Sequence, residues 1–229
     1  ISIKIIYKIV NFRIFMHNSV NNLILIKKEI QLKSYKTQVI AVSKTFPIND
    51  ILPLINYGHA HYGENKVQEA IEKWTTIKYD FKEIRLHLIG KLQTNKVKYV
   101  IPLFDYIHSL DTMKLAKKIS QEQEKKKFKP KIFVQVNIGN ETQKNGIDIE
   151  NLSQFIKSCI ENLNLNIIGL MCIPPADKDS KFYFSKMAEL LKENQLKELS
   201  MGMSRDYLDA INFKSSFVRI GSKIFGQRS

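Results

Sequence analysis

Eight short apolar runs recur along the chain, separated by longer stretches whose apolar residues fall at helical spacing, and few architectures accommodate that alternation. The runs lie at 38–43 (QVIAVS), 59–63 (HAHYG), 84–89 (IRLHLI), 106–109 (YIHS), 131–138 (KIFVQVNI), 167–172 (IIGLMC), 198–203 (ELSMGM) and 216–220 (SFVRI). Helical stretches fall at 48–56, 67–75, 113–127, 149–162, 182–192 and 204–211. Strands that read as continuous apolar runs are covered on both faces, as in a parallel sheet wrapped by helices. Eight such units predict an α/β chain closed as a (β/α)8 TIM-type barrel, with an open doubly wound sheet as the competing arrangement. An amphipathic helix at 20–33, carrying Val20, Leu23, Ile24, Ile26 and Ile30, is extra to that count.

No Gly/Ser or Pro linker divides the chain, so 16–229 reads as a single domain. Residues 1–15 hold Lys4, Lys8 and Arg13 among isoleucines with no acid, and the two lysines interrupt any signal-type apolar core. Met16 followed by His17, Asn18 and Ser19 reads as a start, so 1–15 are expected to be an upstream extension outside the fold, either disordered or not native. No apolar run reaches the roughly 18 residues of a membrane span. Two cysteines, Cys159 and Cys172, in a chain of 229 residues fit a reducing compartment. The expectation is a cytoplasmic protein with no membrane partner.

The net charge of +14 invites a nucleic-acid reading, but the cations are scattered among Asp and Glu and form no stripe interleaved with aromatics. A solvated surface explains them, and no nucleic-acid partner is expected. Of the 36 cations only five are arginine, so an arginine inside an apolar segment cannot be put down to general basicity.

In a β/α barrel, reactive groups sit at the carboxyl ends of the strands. Lys44 follows the first apolar run directly, where neighbours that exclude water would lower its pKa and expose a neutral amine able to attack an aldehyde. The plain alternative is a lysine marking the strand's exit to solvent. The loops after the seventh and eighth runs are small and hydroxylated: Ser200-Met201-Gly202-Met203-Ser204, and Gly221-Ser222 after Arg219-Ile220. Gly221 lets backbone amides approach an anion and Ser222 can donate its hydroxyl, the composition of a barrel phosphate site, although Gly and Ser are also ordinary turn residues. Arg219 lies between Val218 and Ile220. A guanidinium there needs a fixed partner, either a pyridine nitrogen held unprotonated or a neighbouring carboxylate such as Glu64.

Taken together, VIAVSKT (39–45), HYGENKVQE (61–69), HLIGKLQTNK (87–96), IHSLD (107–111), FVQVNI with KNGI (133–147), GLMCIPP (169–175), LSMGMS (199–204) and VRIGSKIFG (218–226) resemble the pyridoxal phosphate homeostasis proteins, a family similar to the N-terminal barrel of alanine racemases. The resemblance runs in order over 20–228. It implies that pyridoxal 5'-phosphate is held by Lys44 as a Schiff base, that Ser204, Gly221 and Ser222 hold the phosphate, and that Arg219 faces the pyridine nitrogen. By the same resemblance Asn65 and His87 line the mouth of the site. The chain departs from the pattern at Phe46, where many relatives carry a second lysine.

The resemblance further implies vitamin B6 homeostasis without catalysis, the cofactor being buffered or delivered to apo-enzymes by a monomer. Alanine racemases pair their lysine with a tyrosine from a second domain, and only Gln227, Arg228 and Ser229 follow Gly226. An arginine at the pyridine nitrogen also limits electron withdrawal into the ring. Two alternatives are a racemase-like amino-acid enzyme and a metal-dependent barrel hydrolase. The latter would use His59 and His61 on one strand face with His87 and His108 nearby. Cys172 reads as packing, and Trp74 as the anchor of a helix against the barrel.

Overall fold

The computed structural model describes residues 17–33, 36–141, 143 and 145–227, so the extension expected at 1–15 lies outside the described residues. Eight parallel strands form a closed ring in chain order, β1-β2-β3-β4-β5-β6-β7-β8, and β1 pairs with β8 to complete it. They are β1 (Gln38–Val42), β2 (His61–Glu64), β3 (Arg85–Leu88), β4 (Tyr106–Leu110), β5 (Lys131–Gln135), β6 (Ile167–Met171), β7 (Glu198–Met203) and β8 (Phe217–Ile220). Each lies within or close to one of the eight apolar runs. The strands are buried along almost their whole length because side chains alternate between an interior and a helix-covered exterior, both dry.

The helices are α1 (Asn18–Gln31), α2 (Ile48–Asn56), α3 (Val67–Asp80), α4 (Val97–Val100), α5 (Met113–Lys126), α6 (Ile149–Glu161), α7 (Ser180–Glu193), α8 (Tyr207–Asn212) and α9 (Ser222–Phe225). Their boundaries follow local chemistry. Thr112 caps α5 by accepting from the Leu115 amide, and Lys127 ends it in a left-handed conformation before Pro130. Asp179 caps α7 through the Lys181 amide. The Met203 amide donates to Asp206 Oδ1, and the turn this closes delays α8 to Tyr207, three residues later than the periodicity predicts.

α1 completes the barrel's outer cover. The element after β8 is only four residues long, too short to shield β8 and β1. α1 buries Val20, Leu23, Ile26 and Ile30 and packs against α9, α2 and α8. Asn22 Nδ2 donates to Ile224 O at 3.1 Å, and Tyr207 donates its hydroxyl to Glu29.

Two apolar regions result. The larger lies between strands and helices and includes Trp74, Tyr62, Phe104, Phe184 and Leu23. The smaller joins Ile40, Tyr106, Phe133, Met171 and Phe217. These residues come from strands on opposite sides of the ring and can meet only through its centre.

Candidate functional site

The alternation rule puts His59 and His61 on one strand face, but β2 begins only at His61. His59 precedes the strand and sets its ring edge against Tyr62 in the outer region, while His61 turns inward to His87. The expected pair is therefore split, and among the described residues no group of His, Cys, Asp or Glu could hold a metal ion.

Lys44, Asn65, Ser204, Gly221 and Ser222 all follow the carboxyl ends of strands β1, β2, β7 and β8, which are consecutive around the ring. Ala41 is in register with Ile220 and Val42 with Gly63, so Lys44 stands between the loop carrying Gly221 and the one carrying Asn65. Phe46, at the position where the resemblance leads one to expect lysine, stacks on Phe225 with ring centroids 4.8 Å apart and ties the Lys44 turn to α9.

The half-buried Lys44 sits in a turn gripped on both sides. Ser43 Oγ donates to Glu64 Oε1 at 2.8 Å, and Lys73 Nζ donates to Ser43 O at 3.0 Å. The Thr45 amide donates to Glu69 Oε1 at 2.6 Å, with Thr45 itself in the left-handed region at φ 69°. Lys73, from α3, bridges Glu64 and Glu69 at 3.0 Å each, and Trp74 Nε1 donates to Glu64 Oε1 at 3.0 Å. Trp74 is thus the anchor the sequence predicts, with a polar bond added. Burial raises the Glu64 pKa above the usual carboxylate range, partly offset by Lys73, Trp74 and Ser43. Desolvation also opposes ionisation of Glu69, but the Thr45 amide and Lys73 outweigh it and hold that carboxyl low. Ser43, Glu69 and Lys73 escaped sequence reasoning, and Glu64 was considered only as a partner of Arg219; the i,i+4 spacing of Glu69 and Lys73 was the available signal.

On the opposite side of Lys44, Ser222 Oγ lies 3.1 Å from Ser204 Oγ. Near the end of β7, Gly202 takes φ +91°, where an added Cβ would come within 2.6 Å of the Ala210 Cβ. Within α9 the first amide bonded internally is that of Ile224, to Gly221 O, so the Ser222 and Lys223 amides take no part in the helix's own ladder. Asn65 is held by Gly90, whose missing Cβ would fall 2.4 Å from Asn65 O. Its buried Oδ1 has no hydrogen-bond partner among the described residues.

Arg219 is 5% exposed, inside β8, one step below this mouth. Its Nη1 donates to Ser200 O at 2.6 Å and Ser200 Oγ at 2.7 Å, and its Nη2 to Cys172 O at 2.8 Å. The alternative partner Glu64 is taken by Lys73, and among the described residues no carboxylate forms an ion pair with Arg219. Cys172 is buried packing, as its sequence setting suggests; burial pushes its thiol up to about 12, and its carbonyl is what Arg219 uses.

His87 is the site residue that the structure moves. It is fully buried in the barrel rather than at the mouth, stacked on Tyr106 with centroids 4.2 Å apart. Its Nε2 is 2.9 Å from His61 Nδ1 and its Nδ1 is 2.9 Å from His108 Nε2, so neighbouring side chains occupy both ring nitrogens. The reason is register: His87 is the third residue of a four-residue strand and does not reach its end.

The family described as the alanine racemase N-terminal domain matches residues 18–229. A pyridoxal phosphate homeostasis protein of Aquifex aeolicus is 40% identical over 200 residues, 83% of this chain and 87% of that protein. The structure of PipY of Synechococcus elongatus PCC7942, solved with PLP bound, superposes with a TM-score of 0.81 at 31% identity, covering 91% of this chain and 100% of that one. Alanine racemase of Clostridium difficile 630 shares the fold, with a TM-score of 0.70 at 16% identity, covering 92% of this chain and 57% of its own.

Proposed function

The chain belongs to the alanine racemase N-terminal domain family and, within it, to the pyridoxal phosphate homeostasis proteins, and from that premise we propose that it binds pyridoxal 5'-phosphate and keeps it available without catalysing a reaction on it. One arrangement carries this reading: an amine in a clamped turn after β1 faces a hydroxylated, glycine-bearing loop after the neighbouring β8, with a buried guanidinium beneath. The orphaned Asn65 Oδ1 and the Ser204–Ser222 hydroxyl pair at the same mouth fit a phosphorylated heteroaromatic ligand.

When bound, pyridoxal phosphate supplies an aldehyde that condenses with a primary amine. Lys44 presents that amine, and Glu64, Lys73 and Glu69 fix the turn that aims it. Ser204, Ser222 and the backbone about Gly221 hold the phosphate by hydrogen bonds. Asn65 orients the ring from the β2 side. Arg219 faces the pyridine nitrogen as a donor that keeps its proton, so the ring gains no positive charge there. Tyr207, nearest among the described tyrosines to the β7 loop, gives its hydroxyl to Glu29 of α1 and does not serve as a second base. The protein works as a cytoplasmic monomer that buffers the cofactor and delivers it to apo-enzymes.

The test is the absorption spectrum of the purified protein after loading with pyridoxal phosphate and gel filtration. The wild type retains a near-visible band, and borohydride reduction fixes the mass of the ligand onto the peptide containing Lys44. Lys44→Ala loses the band while keeping the fold by circular dichroism. An unchanged bound chromophore in that variant sinks the anchoring role, and D-alanine formed from L-alanine by the loaded wild type sinks the non-catalytic reading.

A further inference from the structure

Arg219 is a buried cation with no carboxylate at ion-pair distance among the described residues, Asp206 acting on it only from farther away, and the groups in direct contact with it instead are legible in the hydrogen bonds below it. Ser200 Oγ lies 2.7 Å from Arg219 Nη1 and 2.9 Å from His108 Nδ1. His108 Nε2 lies 2.9 Å from His87 Nδ1, and His87 Nε2 lies 2.9 Å from His61 Nδ1. The chain starts beneath the mouth at β8 and β7, crosses the interior to β4, and descends through β3 to His61 at the amino-terminal end of β2. Ring stacking on Tyr106 and Phe133 holds His87 and His108 in place.

Proton counting gives this chain a direction. A guanidinium only donates, so Ser200 Oγ accepts from Arg219. The Ser200 hydroxyl has one proton to give, and His108 Nδ1 is the other group bonded to it among the described residues. His108 then carries its proton on Nε2 and donates to His87 Nδ1; His87 does the same toward His61. A second proton on His87 or His61 would set two donors against each other, and one on His108 would leave the Ser200 proton without an acceptor among the described residues. Burial, which pushes His87 and His108 well below the usual imidazole range, agrees with three neutral rings. Every acceptor end points up toward Arg219 and every donor end points down, so the ring dipoles add with their negative ends toward the cation. The chain is not a proton conduit, because Arg219 does not release the proton that would recharge Ser200.

We propose that Ser200, His108, His87 and His61 are positioning residues for Arg219: a one-way hydrogen-bonded chain that stands in for a carboxylate, neutralises the buried guanidinium by aligned dipoles, and fixes its plane beneath the mouth. The consequence for the cofactor rests on the function proposed above. The chain itself does not.

The test is long-range 1H–15N correlation of the histidine side chains in ligand-free protein at neutral pH, assigned with single His→Gln variants. His61, His87 and His108 each show the neutral Nε2–H pattern. A ring found charged, or protonated at Nδ1, overturns the proposal without any variant. In Ser200→Ala the His108 Nδ1 loses its donor, and the tautomer signals shift at His108 and onward at His87, with Ser200→Thr restoring the wild-type pattern. A shift confined to His108, or none, overturns the coupling. If the tautomer pattern holds while the protein retains no absorbing ligand, the cofactor reading fails and the chain survives; the reverse result removes the chain alone.

Discussion

The interior of the barrel and its mouth are both rich in polar groups, yet they handle them in opposite ways. Inside, each of the three histidines that line the barrel is bonded to a neighbour and stacked or edged against Tyr106, Phe133 or Phe217. At the mouth, Asn65 keeps a buried oxygen without a partner among the described residues, Ser222 is exposed, and the backbone takes positive φ at Thr45 in the turn after β1 and at Gly202 near the end of β7. A polar group bonded within the protein contributes to the fold, whereas one left over beside a strained turn is there for something that arrives from outside.

Acid separates the two regions most sharply. His61, His87 and His108 have folded-state pKa values depressed below the unfolded 6.5, His61 to about 4, all chiefly by desolvation. Such groups bind protons more readily when unfolded, so their contribution is intact above about pH 7 and lost as pH falls through 6.5 toward the folded values. At pH 5 each costs up to about 2 kcal/mol, and the urea midpoint should drop accordingly. A midpoint unchanged between pH 8 and pH 5 would mean that these rings are not buried neutral. A loss of about 3 kcal/mol, smaller than that of the three rings together, is expected of Lys73→Met, which leaves the Glu64 carboxylate buried without its cation. Because the same lysine holds Ser43, cofactor retention should fall with it, which urea titration and the near-visible band follow together. Gly202→Ala forces a Cβ into a positive-φ site against Ala210 and should cost about 1–2 kcal/mol by thermal unfolding. The smallest stability change belongs to Ser222→Ala, under about 0.5 kcal/mol, yet it should weaken pyridoxal phosphate binding roughly 3- to 10-fold by spectral titration, because the exposed hydroxyl packs against little.

The strands were legible because a strand covered on both faces must be apolar throughout, and β1 and β7 follow their runs almost residue for residue. Lys44 and Arg219 stood out by chemistry against their surroundings. His87 misled because its neighbours in the motif belong to the mouth while its own position in β3 does not; register relative to β2 and β4 decides that, and local sequence does not encode it. The same limit hid Ser200 and the Ser43–Glu64–Lys73 clamp, whose members come together only after strands and helices pack. His59 was misassigned because β2 starts two residues late, leaving the ring outside.

Closure of the ring by β1 against β8 sets an order on biosynthesis. The first strand leaves the ribosome with one edge lacking its partner until some 180 further residues have followed, since Gln38 aligns with Phe217. The helix that shields this seam likewise contacts α9, the latest of the described helices to be made. For the duration of synthesis the nascent chain therefore exposes an aliphatic edge that a chaperone can occupy or another chain can capture, and the last strand ends that vulnerability.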